Sequence, residues 1–595
     1  MYSRILQVAI FVIAPLLAIT SCNAIASDSF GADPVTSSTP AIGDQIKAFV
    51  LPDIYGTERS LEELAGDKVV VLFFTGTQCP LAKLYAGRLQ EIAESYEHDV
   101  AIVAVCSNVQ DSLKDIQFYA QRHGIKFPIL RDQRNKVADL VGATRTPEVF
   151  VVDQTRRLRY SGRIDGQFTF GSGVGLSQPV AKRNDLLEAL DEILAGKPVS
   201  VPRTEVKGCL IGRAKVAKEN AEVTYSKQIV RLFQTRCQEC HREGQIAPFA
   251  LEDYSEAAGW GEMIAEVVRE QRMPPWHADP EFGHFSNENV LSAEEKQLVY
   301  DWVDAGCPEG DPSDLPEPIE YRDGWFLGRE PDQVIHMTDK PVSIKADGIE
   351  DYRYYEVDPG FTEDKWVSLS ECMPGNKAVV HHQIVYIKSP QAKKSIGDFE
   401  LLVGFAPGTR PVRYPKGWAR RIPAGSKLVF EMHYTPIGSP QTDRSSVGLV
   451  YIDPSEVTHQ TWTTNAINTK LTIPAFAEQH TESASRTFKQ DVTLLSLYPH
   501  MHMRGKSFRY DLKYPNGRTE TLLNVPEYDF NWQNSFILEK PIKVPAGAKM
   551  LCTAVFDNSE GNLANPDPGK IVRWGEQTWD EMLIGWHDVA VPIER

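Results

Sequence analysis

The period of the hydrophobic pattern changes along this chain, and that change limits the folds open to it more than any other feature. Lys68 to Phe74, KVVVLFF, is an unbroken apolar run of the kind that forms a buried strand. A loop with Cys79-Pro80 follows, then a helical pattern from Leu81 to Tyr96. A strand from Val100 to Cys106, a helix from Leu113 to His123 and a hairpin from Val149 to Arg163 continue an α/β order. A helix from Asp185 to Leu194 closes the segment before the breaker Gly196-Lys197-Pro198. From Tyr225 to about Pro312 the pattern is helical and compact. Beyond a Pro/Asp/Glu-rich link, Cys307 to Pro318, short β-rich runs such as Lys427 to His433 and Val492 to Leu497 alternate with Gly/Pro turns, which predicts β-sandwiches. A length of 595 residues fits three or four such units. The expected organisation is multidomain: an α/β domain over 40–200, a small all-α domain over 225–312, then all-β units.

Lys and Arg number 63 against 80 Asp and Glu, a net charge of -17 that argues against nucleic acid as a partner. Arg4 followed by an apolar run from Ile5 to Ile19 has the layout of a secretory signal and is short for a membrane span. Ile19-Thr20-Ser21-Cys22 resembles a bacterial lipobox, which would make Cys22 a lipidated membrane attachment; Ala24-Ile25-Ala26 suits ordinary cleavage of a signal over residues 1–26. Both readings place the mature protein outside the cytoplasm, periplasmic or extracellular, where covalent haem is assembled and disulfides persist.

The C-terminal half places five of the fourteen histidines on three short β-like segments: His381-His382, His433 and His500-Met501-His502, with Met582 beyond. Imidazole and thioether are copper's preferred side chains, and thioether selects Cu(I) over zinc or magnesium. Residues two apart on a strand face the same way, so His500 and His502 can converge on one metal, with Met582 arriving from another strand. Adjacent His381 and His382 point oppositely on an ideal strand, so a shared ion there requires a bulge or strong twist, and His433 would complete a three-histidine site. Singly, a histidine in a β-sandwich is more often a satisfied polar residue than a ligand; the combination carries the metal reading.

The segments Val380-His381-His382, His433-Tyr434, His500-Met501-His502 with Gly505-Lys506, and Asp580-Glu581-Met582 occur over about residues 325 to 595. In order and interval they resemble the copper type II ascorbate-dependent monooxygenases, the family of peptidylglycine α-hydroxylating monooxygenase and dopamine β-monooxygenase. The resemblance implies two jelly-roll-like β-sandwiches, 325–470 and 471–595, and two copper ions. It assigns His381, His382 and His433 to an electron-relay copper, and His500, His502 and Met582 to the oxygen-binding copper where a substrate C–H bond is hydroxylated with O2. An external electron donor, ascorbate or a redox protein, is implied as well. The match has departures. Tyr498 stands where the peptide enzyme has an Arg that grips a substrate carboxylate, and Leu583 replaces a Cys, leaving Cys552 without its expected disulfide partner. A peptide-glycine substrate is therefore not expected, and the pairing of Cys307, Cys372 and Cys552 stays open.

Cys237 and Cys240 in CxxCH are spaced for two thioether bonds to a haem, with His241 as proximal ligand. No second CxxC or HxxxH follows, which disfavours half of a zinc site. Met273, in Arg272-Met273-Pro274-Pro275-Trp276, resembles the distal ligand of cytochrome c; His277 is the weaker alternative. One covalently attached c-type haem is expected.

Cys79 sits where a strand hands over to a helix, and amides at a helix N-terminus stabilise a thiolate. Thr146-Pro147 resembles the cis-proline, Pro147 here, that thioredoxin-like proteins set against the active cysteine. The segment looks like a redoxin of the peroxiredoxin/thioredoxin superfamily, with incomplete motifs. Ala82 replaces the second Cys of CxxC and Gly76 stands where peroxidases place Thr. Cys209 offers a distant resolving thiol, and Cys106 reads as buried core. The alternative is a redox fold kept as a docking unit.

The leading expectation is an exported copper monooxygenase fed by its own haem domain, acting on a small-molecule or peptide-like substrate. A non-oxygenating redox carrier, sensor or thiol-disulfide oxidoreductase with structural copper is the second class, and a copper-delivery protein the third. O2-consuming hydroxylation separates the first from the others.

Overall fold

Seven buried residues, Val69–Thr75, form the central strand of the N-terminal sheet in the computed structural model, which describes residues 39–594 apart from 171–174, 179, 322–323 and 393–398. The leader, with Cys22, lies outside the described residues. Among those residues no helix is long and apolar enough to cross a membrane.

The sheet has five strands in the order Ile129–Arg131, Val100–Cys106, Val69–Thr75, Glu148–Val152, Leu158–Gly162; the first three are parallel and the last two antiparallel. The unbroken apolar run is needed because both faces are covered. Val69, Val71 and Phe73 enter one core; Val70, Leu72 and Phe74, one residue out of phase, enter another. The first of these cores does not stop at the domain edge. It continues through Tyr225, Phe233, Trp260 and Trp302 of the helical segment. That segment comprises a π-turn at Tyr225–Ile229 and helices Val230–Arg236, Tyr254–Gly259, Gly261–Arg269 and Ala293–Asp304, the last opened by a Ser292/Glu295 capping box. The expected α/β and helical units are thus distinct in secondary structure and joined in packing.

The β-rich region is organised around one eight-stranded sheet in the order Gln333–His336, Ser446–Tyr451, Lys365–Met373, Trp418–Ile422, His459–Ile467, Ile584–Pro592, Val492–His500, Phe536–Val544. Two four-stranded sheets accompany it. One contains Val380–Lys388 beside Lys427–Tyr434; the other contains Gly505–Lys513 beside Lys549–Phe556. Two lobes result, but they are not two separate sandwiches. They share the long sheet through a parallel contact, Trp418 opposite His459 and Ala419 opposite Gln460. The expected division at residue 470 also shifts. His459–Ile467 pairs along its whole length with Ile584–Pro592, so it belongs to the second lobe.

A buried ion pair sits at this junction. Arg420 and Asp588, 2% and 3% exposed, lie 3.3 Å apart, one from each lobe. Arg420 also donates to the carbonyls of Leu401 and Leu402 and to Thr463 Oγ1, while Asp588 receives Thr463, Ser496 and Tyr498 hydroxyls. Arg420→Met strands the Asp588 charge, and we expect a loss of about 3–5 kcal/mol. Adding Asp588→Leu should recover much of that loss. Thermal unfolding of both variants checks this; a single variant as stable as the parent would show that the pair does not hold the lobes.

Candidate functional site

The ladder between Val380–Lys388 and Lys427–Tyr434 slips register between Val380 and His382, so His381 is the extra residue of a bulge. His433 stands directly opposite His382. Nδ1 of His381 consequently lies 3.4 Å from Nδ1 of His382 and 3.3 Å from Nδ1 of His433. One ligand nitrogen from each of the three buried rings lies within 4.8 Å of the others. Burial, with the neighbouring histidines, pushes His381 down to about 3 and His433 well below its ordinary range; burial alone takes His382 to about 4. The rings are therefore neutral, with lone pairs crowded together. Nε2 of His381 and of His382 has no hydrogen-bond partner; Glu431 Oε1, 3.5 Å from His382 Nε2, is too far to supply one. Convergent neutral imidazoles in a buried site are a donor set for a soft or borderline metal ion, and copper fits it.

His500 ends the strand Val492–His500 and His502 follows in a turn. His500 Nδ1 faces Gln533 Oε1 at 2.6 Å, and the Gln533 amide is oriented by its own bond to the Phe530 carbonyl. His502 Nδ1 faces the Asp580 carbonyl at 3.3 Å. Both acceptors lack a proton, so Nδ1 carries it in each ring and Nε2 keeps a lone pair; Nε2 of His502 has no partner. Wholly buried Glu581 accepts the backbone N–H of His502 (2.9 Å), Arg504 (2.7 Å) and Met582 (3.2 Å). Its carboxylate is the clasp that brings the Met582 segment to the histidine turn. Burial raises the Glu581 carboxyl to about 7, against the pull of those N–H groups.

One aromatic ring touches both sets. Phe530 stacks on His381 with centroids 4.8 Å and planes 19° apart, and lies edge-on to His502 at 6.0 Å. The same loop carries Gln533 and reaches the helical segment, where Asn534 Nδ2 donates to the Pro275 carbonyl at 2.7 Å. His277 lies near Glu527 and Asp529 of that loop. Met273 stands just past the helix Gly261–Arg269 and is partly buried.

At the CxxCH motif the helix Val230–Arg236 ends on Cys237, and the N–H groups of Cys240 and His241 turn back to the Cys237 carbonyl. Burial pushes the thiols up to about 12 for Cys237 and about 11 for Cys240, leaving them un-ionised and unpaired. His241 Nδ1 faces the Phe249 carbonyl at 3.1 Å, so its Nε2 keeps the lone pair an iron ligand needs. Phe249 and Trp260 stack beside it at 4.2 Å. The donor set and its flat aromatic wall fit a haem.

Cys79 caps the helix Pro80–Ser95, and Thr146-Pro147 is cis. Cys209 arrives on a two-residue strand paired with Arg145–Thr146, directly opposite Thr146. The chain thereby supplies, from 130 residues downstream, the second thiol that Ala82 does not. Burial alone would raise the Cys79 thiol. Cys79 Sγ donates to the Thr146 carbonyl at 3.0 Å, and the polar surroundings that Cys209 and the Ala82 N–H supply outweigh burial and bring Cys79 to about 6. Cys209 moves the other way, well above its ordinary value, because the neighbouring Cys79 and burial both favour keeping its proton. Cys106 is also high, through burial and the neighbouring Asp111. A side chain at Gly76 would overlap the Asn108 amide, so a threonine here would require Asn108 to shift. Cys307, Cys372 and Cys552 are buried and unpaired.

Glu431, Phe530 and Gln533 were not singled out in the sequence, and Glu581 appeared there only within a motif. Glu431 alone carried a signal, being two residues before His433 and so on the same strand face. The others act from loops, where no periodicity marks them.

Residues 42–161 match the AhpC/TSA family. A thiol-disulfide oxidoreductase ResA from Geobacillus thermodenitrificans is 31% identical over 120 residues, 20% of this chain and 67% of that protein. ResA of Halalkalibacterium halodurans is 33% identical over 113 residues, 19% of this chain and 62% of that one. Among solved structures, a hypothetical protein from Sinorhizobium meliloti 1021 is 28% identical, with 30% of this chain and 96% of that chain covered at a TM-score of 0.26.

The thiol geometry makes a pH prediction. Ultraviolet thiolate absorbance of the reduced protein should rise through a midpoint near 6, lost in Cys79→Ser. Cys209→Ala removes a donor to the thiolate and should move that midpoint up by about one pH unit, about 1.4 kcal/mol. A midpoint near 9 in the parent would refute the depressed Cys79 thiol.

Proposed function

Over residues 42–161 the chain belongs to the AhpC/TSA family, and from that premise we propose that the whole chain is an exported oxidoreductase in which a thiol-redox domain and a c-type haem domain serve a copper-dependent monooxygenase. The observation that carries this reading is the bulge at His381, which gathers three neutral imidazole nitrogens within 4.8 Å of one another while one phenylalanine ring touches both His381 and His502. His381, His382 and His433 would hold one copper, His500, His502 and Met582 the other, and Cys237, Cys240, His241 and Met273 the haem. When bound, these groups supply one-electron transfer and the activation of O2 for attack on a C–H bond.

The chain's own residues do the positioning. Gln533 and the Asp580 carbonyl fix the tautomers of His500 and His502, Glu581 holds the Met582 segment against them, and Phe530 packs on both His381 and His502. The loop from Glu527 to Asn534 reaches from the segment after Met273 to both histidine sets, which supports electron delivery from the haem side. Tyr498 is committed to Asp588 at 2.6 Å and offers no cation, so the substrate is a small or peptide-like molecule not gripped there by a carboxylate. The leader pattern supports export, with O2 and an external donor as partners.

The fully loaded protein should contain about two coppers and one covalent haem by metal analysis and denaturing haem stain. Anaerobic reduction followed by isotope-labelled O2 should place label in a hydroxylated product. Met582→Ile should abolish that incorporation while leaving the haem spectrum intact. One copper or none in a fully metallated preparation would sink the two-site reading.

Electron delivery has its own test. Reduced haem should be reoxidised by O2 much faster with copper bound than without it, and Met273→Ala should slow turnover. Copper-independent reoxidation would make the haem domain a passenger.

A further inference from the structure

The dithiol and the haem motif face each other across one continuous contact. Gln78, the residue before Cys79, accepts a hydrogen bond at Oε1 from Trp260 Nε1 (3.0 Å). Trp260 is 1% exposed and lies flat on Phe249, centroids 4.2 Å and planes 16° apart. Phe249 packs on the His241 ring at 4.7 Å, and its carbonyl holds His241 Nδ1 at 3.1 Å. A second chain of contacts starts at the other cysteine. Arg145, on the strand paired with Cys209–Leu210, donates to the Gly208 carbonyl at 2.8 Å and to Glu266 at 2.8 Å. Glu266 also receives Arg272 at 2.8 Å, the residue before Met273. The neighbours of both cysteines are therefore bonded to the neighbours of both candidate axial ligands.

The same contact seals the thiols. Cys79 is 0% and Cys209 5% exposed. The linker backbone at Gly212 runs so close to the Gly259 carbonyl that a side chain there would overlap it. A protein disulfide cannot reach Cys79 in this arrangement, whereas a small hydroperoxide needs only a local opening.

We propose that this face of the redoxin is docked on the chain's own haem domain and that the oxidation state of the Cys79–Cys209 pair sets the haem's reduction equilibrium through Gln78–Trp260 and Arg145–Glu266. The inference rests on the haem reading above. The oxidant is a hydroperoxide. Cys79 thiolate attacks its terminal oxygen, giving a sulfenic acid and an alcohol; Cys209 thiol then attacks that sulfur, forming the disulfide and expelling water. Two thiols lose two electrons and two protons, and one O–O bond is reduced. Cys79 Sγ lies on the Thr146 carbonyl and Cys209 stands opposite Thr146, so closing the sulfurs to a bond of about 2 Å draws together the two segments that carry Gln78 and Arg145. The groups that orient His241 and Met273 move with them. Because binding and redox equilibria are linked, haem reduction must shift the dithiol equilibrium by the same factor.

The test is a spectroscopic redox titration of the haem in the full-length holoprotein, with the pair held as dithiol or, after hydroperoxide, as disulfide. We expect the reduction equilibrium to differ by about five- to tenfold between the two states, the upper figure being about 59 mV for a one-electron couple. Cys79→Ser/Cys209→Ser should show no response to hydroperoxide. Trp260→Phe/Arg145→Gln keeps an aromatic ring in the stack but removes both hydrogen-bond routes; it should lose the response while retaining its haem spectrum and its disulfide, the latter read by thiol labelling. Covalent haem with the same midpoint in both thiol states overturns the coupling alone, as does a full response in the Trp260/Arg145 variant. A chain purified without covalent haem overturns the haem reading, and the coupling with it.

Discussion

The Arg420–Asp588 pair holds the geometry on which the rest of the β-rich region depends. A buried ion pair stabilises little by itself, since desolvation offsets most of its attraction, but removing one partner from a satisfied network is costly. Here two carbonyls and the Thr463 and Tyr414 hydroxyls lie on the arginine side, where Nε alone has no partner, and three hydroxyls lie on the aspartate side. The pair lies where one long sheet passes between lobes, and each lobe carries one histidine set. If the sheet broke at Trp418–His459, Phe530 could not touch His381 and His502 together. The relation between the two sets is thus a property of sheet continuity, not of the loops that display them.

The two sets solve the tautomer problem in opposite ways. In the first, three Nδ1 atoms turn inward, because ladder pairing and the bulge place the near side of each ring at the centre. In the second, a side-chain amide and a backbone carbonyl take the Nδ1 protons, leaving the far nitrogen of each ring free. The far nitrogen extends the reach of a ligand by roughly the width of the ring.

Much of this was legible in the sequence where periodicity speaks. The central strand, the helix after Cys79 and the hairpin ending near Arg163 match their predicted spans to within about two residues. Adjacent histidines point oppositely on an ideal strand, so a shared ion required a bulge or strong twist, and the register slip at His381 is such a bulge. What was not legible depends on side chains meeting across long stretches of sequence. Nothing local marks Phe530 as the ring between two clusters, Trp260 as the partner of Gln78, or Arg420 as the partner of Asp588. The strand His459–Ile467 was assigned to the wrong lobe for a related reason: alternation reveals that a segment is a strand but not which neighbour it will pair with.

Gly438 shows what kind of joint connects the modules. At φ +83°, it brings its backbone so close to the Lys83 carbonyl, one turn past Cys79, that a side chain would overlap that oxygen. His123 and Arg122 bond the same loop at Gly438 and Ser439. Main chain rests on main chain, without the slack that long side chains leave in an ordinary interdomain contact. A joint of that kind does not flex through rotamer changes; it stays seated or it separates. The spacing between the redoxin cysteines and the β-rich lobes is therefore a machined tolerance, and while the joint is seated the Cys79 thiol and the lobe bearing Gly438 keep one distance.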